Sequence, residues 1–155
     1  MTKPLINPDF YMGSHASNFC PNSYHDNKIN HCAHFVSHVM GFNFGYTCFH
    51  QTGAGNGGAS IKVQEIFSRC TDVGLWEDKP SLPLSCLAFV TDQKNVNIDR
   101  GTMRNVPKKH VGIFHMGRVY HYSNSKNMVV SQIVDQFRKH YLGKQIRVYF
   151  GSFPT

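Results

Sequence analysis

Hydrophobic and polar positions alternate with two different periods along this chain, and the change of period divides it. Over Asn30–Gly41 the period is helical: Cys32, Phe35, Val36 and Val39 fall on one face, with His31, His34 and His38 on the face beside it. Asn30 is a suitable N-cap and Gly41 a suitable stop, so Cys32 belongs to the first turn. Ala59–Cys70 reads as a second helix, with Ile61, Ile66 and Phe67 turned inward and Ser60 as its cap. From Leu84 onward short apolar runs take over. Leu84–Val90 predicts a buried strand, Met128–Val130 another, and Gln145–Phe150 a closing strand, with a helix over Gln132–Tyr141 between the last two. His110–Ser123 reads as a β-hairpin that puts His110, Gly112 and Phe114 on the same face as Val119, His121 and Ser123. A turn at Met116-Gly117 sets His121 opposite Gly112, close to His110. A turn at Gly117-Arg118 sets His121 opposite Phe114, about 13 Å from His110 at 3.3 Å per residue, and glycine-first turn chemistry slightly favours it.

Residues 1–28, with Pro4, Pro8, Gly13 and Pro21, predict an irregular N-terminal arm. The run Gly53–Gly58 lacks both the preceding strand and the Lys-Ser/Thr of a phosphate-cradling loop, and reads as a loop facing substrate. Thr71–Pro83 is a connector, and residues 92–107 are a polar excursion. Helices early and a strand meander late make an α+β plan with one antiparallel sheet and N-terminal helices packed on it. At 155 residues this is one domain, 1–155.

Composition narrows the function classes. A net charge of +7 favours an anionic partner, but the basic residues scatter and no nucleic-acid-binding motif accompanies them, so nucleic acid is not expected. No stretch is long enough to span a bilayer, and Met1–Phe19 lacks the apolar core of a signal peptide. The expectation is a monomer made in the cytoplasm, without membrane insertion, acting in the periplasm or outside the cell after signal-independent export. The five cysteines, Cys20, Cys32, Cys48, Cys70 and Cys86, contain no C-x-x-C pair, which argues against a zinc ribbon. His34 and His38 have the i, i+4 spacing of helical metal ligands, but no His-Glu-x-x-His accompanies them, and the expectation is no metal and no cofactor.

The candidate chemistry is that of a thiol. A helix N-terminus favours the thiolate, and a histidine brought alongside would take its proton and return it to a leaving amine. His31-Cys32-Ala33-His34-Phe35-Val36 followed by His110-Val111-Gly112-Ile113-Phe114 resembles the NlpC/P60 family of papain-like cysteine peptidases. In that family the nucleophile motif is Asp-Cys-Ser-Gly-Phe-Val and the base stands in a His-Val-Gly-Ile-Tyr strand. The resemblance covers roughly Tyr24–Asn124 and implies a papain-like fold with Cys32 as nucleophile, His110 as base and His121 as the residue that orients it. Asn124 is a lesser candidate for that third role. Backbone N–H groups at the helix start, that of Cys32 included, would face the oxyanion. Tyr24 on the arm and His31, standing where the family has Asp, are candidate substrate-binding residues. The family's Ser-Gly is here Ala33-His34, and the Gly-Asp that commonly opens its first strand is absent. The compact basic build also resembles type VI secretion amidase effectors. These resemblances imply amide-bond hydrolysis in peptidoglycan stem peptides through a thioester, with a proteinaceous inhibitor or immunity protein as a further partner. Alternatives are an inactive cell-wall-peptide binding module on the same scaffold, or an acyltransferase using the same pair.

Overall fold

The computed structural model describes residues 7–53 and 57–155; residues 1–6 of the expected arm and 54–56 of the glycine-rich run lie outside them. Helices come first: α1 (Ala16–Phe19), α2 (Cys32–Met40), α3 (Cys48–Thr52) and α4 (Val63–Arg69). The strands β1 (Val73–Leu75), β2 (Ser85–Asp92), β3 (Val96–Asn97), β4 (Thr102–Met103), β5 (Lys109–His115), β6 (Arg118–Ser123) and β7 (Met128–Gln132) follow, then α5 (Val134–Arg138) and β8 (Ile146–Gly151). Six strands form one antiparallel sheet in the order β1-β8-β2-β5-β6-β7, and β3 pairs with β4 in a separate ribbon. This is the α+β architecture the sequence predicts.

Period two sorts the strand residues into two layers. Leu87, Phe89, Val111, Ile113, Tyr120 and Tyr122 share a core with Phe35, Val36 and Val39 of α2 and Ile66 and Phe67 of α4. On the other face Ala88, Val90, Val119 and Val148 pack with Phe137 of α5, and Trp76 and Phe114 border them. Helices thus cover both faces of β5, the strand that carries His110.

α2 ends as predicted, with Gly41 left-handed at φ 74°. Its start differs in detail: His31 occupies the N-cap position without a capping hydrogen bond, and Asn30 Oδ1 accepts the Cys32 N–H at 2.9 Å instead. The second helix is shorter than its apolar spacing suggests, because Ser60 does not cap it. The Ser60 hydroxyl is buried and bonded to Phe44, donating to its carbonyl at 2.6 Å and accepting its N–H at 3.0 Å. The helix over Gln132–Tyr141 is likewise trimmed to α5, since Gln132 is still in β7.

The β5–β6 turn is Met116-Gly117, with His115 paired to Arg118, Phe114 to Val119 and Ile113 to Tyr120. Both turn residues have positive φ, 52° for Met116 and 87° for Gly117, the requirement of a type I′ hairpin turn. The glycine-first register is therefore not adopted, and an exposed methionine accepts the strained position: the alternative would keep the faces of β6 but slide the strand by two residues, setting His121 opposite Phe114 instead of Gly112, whose missing Cβ leaves room for the His121 and Val119 side chains. Relieving that strain with Met116→Asn is expected to stabilise the protein by about 0.5–1 kcal/mol, read as a higher urea midpoint at unchanged slope. A lowered midpoint would contradict the turn assignment.

Candidate functional site

Cys32 is the first residue of α2 and only 1% exposed. Its sulfur comes to the place where β5 and β6 part. The hairpin ladder has Ile113 and His115 bonded to β6, so the Val111 N–H two residues earlier points the same way, but the ladder does not continue to it. That N–H acts on the Cys32 sulfur instead, together with the N–H groups of Ala33 and Cys32 itself and the charge of Lys109, all favouring the thiolate. Burial outweighs them and pushes the thiol up to about 11. The expectation of a thiolate favoured at the helix start is thus corrected: desolvation holds Cys32 protonated. The Cys32 N–H, expected to face an oxyanion, is engaged by Asn30 Oδ1.

A cleft of about 230 Å³ reaches Cys32 and is lined also by Tyr24, Asn30, Lys62, Gln64 and Lys109. A larger one, about 640 Å³, runs along the β3–β4 ribbon and Tyr149; it contains neither cysteine nor histidine and shares no residue with the first. The smaller cleft is the one with chemistry at its wall.

His110 and His121 meet as the Met116-Gly117 register predicts. Gly112 makes this approach feasible, since a Cβ there would lie 3.1 Å from the His121 Cβ and 2.8 Å from the Tyr120 carbonyl oxygen. His110 Nε2 and His121 Nδ1 are 2.9 Å apart, and His121 Nε2 lies 2.8 Å from Gln132 Oε1 at the end of β7. An amide oxygen only accepts, so His121 carries its proton on Nε2 and its Nδ1 accepts from His110 Nε2–H. His110 Nδ1 is then the bare lone pair, buried and without a hydrogen-bond partner. Phe137 and a stacked His140, ring centroids 3.9 Å apart, cover the His110 ring from the α5 side. The expected pairing of ring and sulfur is corrected: His110 faces the α5 layer, while the Cys32 sulfur meets Val111, the next residue, from the α2 layer, because successive strand residues point to opposite faces of the sheet.

Burial keeps both imidazoles neutral, His110 well below the ordinary 6.5 and His121 at about 4. The unfolded chain takes up these protons near pH 6.5 while the native state refuses them. Stability should therefore be complete above about pH 6.5 and fall as pH drops toward 4, by up to about 1.4 kcal/mol per pH unit for each group. Urea midpoints between pH 7.5 and 4.5 test this; a flat profile would mean that the rings are not buried neutral.

The other sequence candidates separate. Tyr24 is buried at the cleft wall, its hydroxyl pushed up to about 12 by desolvation. His31 does not reach substrate: its ring is fully buried, Nδ1 lies 2.9 Å from His34 Nδ1 and Nε2 lies 2.8 Å from the Asp26 carbonyl. The reason is its N-cap position, which turns the ring under Tyr24 rather than toward Cys32. Asn124 accepts the His31 N–H at 3.4 Å, which assigns it to the chain entry into α2. Gln132 was missed because nothing in a strand-ending glutamine signals its partner across the sheet.

Two groups of side chains could hold a metal ion among the described residues: Cys20, His34, His38 and Cys48, and His110, His121 and His140. The second is spent on the imidazole hydrogen bond, and the parallel His110 and His140 rings, 15° apart, do not converge on a point. The first is a closed set of two sulfurs and two nitrogens.

No family model matches the chain, and neither any curated protein nor any solved structure matches it. Among the described residues no helix is long and apolar enough to cross a membrane.

Proposed function

We propose that this protein is a cysteine amidase or endopeptidase on a papain-like scaffold, with Cys32 as nucleophile, His110 as general base and acid, and His121 holding the His110 tautomer. The observation that carries this reading is the bare His110 Nδ1, buried beside the residue whose N–H meets the Cys32 sulfur. The resting pair is neutral. Sulfur and ring lie on opposite faces of β5 at rest, so the reaction requires the start of β5, which β6 does not hold, to turn as substrate enters the Cys32 cleft; Nδ1 then takes the thiol proton as sulfur attacks the amide carbon. The tetrahedral intermediate collapses with the amine leaving on the Nδ1 proton, and a thioester remains on Cys32. Water, deprotonated by the same nitrogen, releases the acid and the free thiol. Throughout, His110 Nε2–H stays bonded to His121.

Peptidoglycan stem peptides are the proposed substrate class, supported by the motif resemblance and by a net charge of +7 suited to a carboxylate-rich polymer. Purified wall fragments digested by wild type and by Cys32→Ala, with products identified by mass, test it: new amine and carboxylate ends are expected only with the wild type. Identical product profiles would sink the enzyme.

A second reading, a binding module using the cleft without chemistry, is favoured by the thiol held at about 11. Iodoacetamide separates the two when added with wall fragments: labelling of Cys32 that accelerates with the fragments belongs to the enzyme, and labelling that only slows belongs to the binding module.

A further inference from the structure

Cys20 closes α1, His34 and His38 stand one turn apart on α2, and Cys48 opens α3. Their donor atoms all lie within 4.8 Å of one another. Cys20 Sγ and Cys48 Sγ are 3.9 Å apart, too far for a disulfide, and Cys48 Sγ lies 3.8 Å from His38 Nε2. A tetrahedral ion with metal–sulfur bonds of about 2.3 Å and metal–nitrogen bonds of about 2.0–2.1 Å requires donor separations of about 3.3–3.8 Å. The two sulfur contacts stand at the upper end of that range, and all the other donor pairs lie within 4.8 Å.

We propose that these four residues bind a structural zinc ion. His34 is fully buried, and its Nε2 has no hydrogen-bond partner. Its tautomer follows from the neighbours. The Asp26 carbonyl accepts from His31 Nε2–H, so His31 Nδ1 accepts from His34 Nδ1–H, and the His34 Nε2 lone pair is left for a cation. Three N–H donors point at the sulfurs: Asn22 N to Cys20 at 3.4 Å, and Asn22 Nδ2 and Ala59 N to Cys48, each at 3.3 Å. Donors so placed stabilise thiolates, and the Phe19 and Tyr24 rings close over the imidazoles. Two thiolates and two imidazoles in a dry tetrahedral site select zinc over harder ions, and four protein donors leave no open position for chemistry. This departs from the expectation of no metal, and it is independent of the chemistry proposed at Cys32.

Elemental analysis and zinc-edge X-ray absorption of the untagged full chain, purified without chelator and supplied with one equivalent of zinc, decide the matter. The expected result is one zinc per chain, with a shell of two sulfurs at about 2.3 Å and two nitrogens at about 2.0–2.1 Å. Cys48→Ser should lower zinc affinity at least about tenfold, while Cys70→Ser and Cys32→Ala keep full occupancy. If Cys48→Ser fails to fold, the wild-type absorption spectrum alone decides. Zinc not retained at one equivalent, a shell of oxygen and nitrogen only, or a Cys20–Cys48 disulfide in the purified protein would each overturn the site.

Discussion

Replacing His110 by alanine is expected to slow turnover of wall fragments by about 10²–10⁴-fold, the usual contribution of a positioned acid and base. Because the His110 ring is buried beneath Phe137 and His140, the substitution also opens a cavity and lowers stability. Gln132→Glu separates the two effects. A carboxylate in place of the amide oxygen favours a protonated His121 and changes the direction of the imidazole hydrogen bond, so the pH profile of kcat/KM should move while the fold persists. If Gln132→Glu leaves that profile unchanged and His110→Ala merely loses stability, the histidine pair is a packing element and the catalytic proposal fails.

The second large effect concerns stability. A chelator able to strip a tight zinc site is expected to lower Tm by about 8–16 °C. The figure follows from the roughly 4 kcal/mol that a ligand at a thousand times its Kd adds, and from a shift of about 2–4 °C per kcal/mol for a domain of this size. The loss should begin where α1, α2 and α3 meet, because the four donors link just these elements. Hydrogen exchange after chelation should show α2 amides exposed before those of β2 and β5. An unchanged Tm, with zinc release verified, would mean that the cluster does not hold the helices together.

Periodicity made much of this architecture legible. Cys32, Phe35, Val36 and Val39 all enter the core shared with the sheet, and Gly41 ends α2 in the left-handed conformation its residue type allows. The His110–His121 encounter was legible in outline, but its register was not. Turn preference pointed to Gly117-Arg118, whereas the observed register seats Val119 and His121 against Gly112, where no Cβ stands in their way, and accepts the strain at Met116. β1 escaped notice because three residues centred on Gly74 carry no alternation; the glycine lies under the Phe150 ring, where a Cβ would come within 2.8 Å. The Cys20–Cys48 cluster was hidden by sequence separation, its donors coming from three helices. The signal that could have found it is the His34–His38 spacing read together with two cysteines outside that helix. Taken alone, the histidine stripe suggested only a polar flank.

The chain from His110 through His121 ends on an uncharged amide, Gln132, rather than on an acid. Under the proposed chemistry, an imidazolium formed at His110 finds its counterion only in the oxyanion of the tetrahedral intermediate, since the sulfur that gave up its proton is by then bonded to carbon. Separated charges then exist inside this protein only until that intermediate collapses and the leaving amine takes the proton, and the interior returns to electrical neutrality with every acyl transfer.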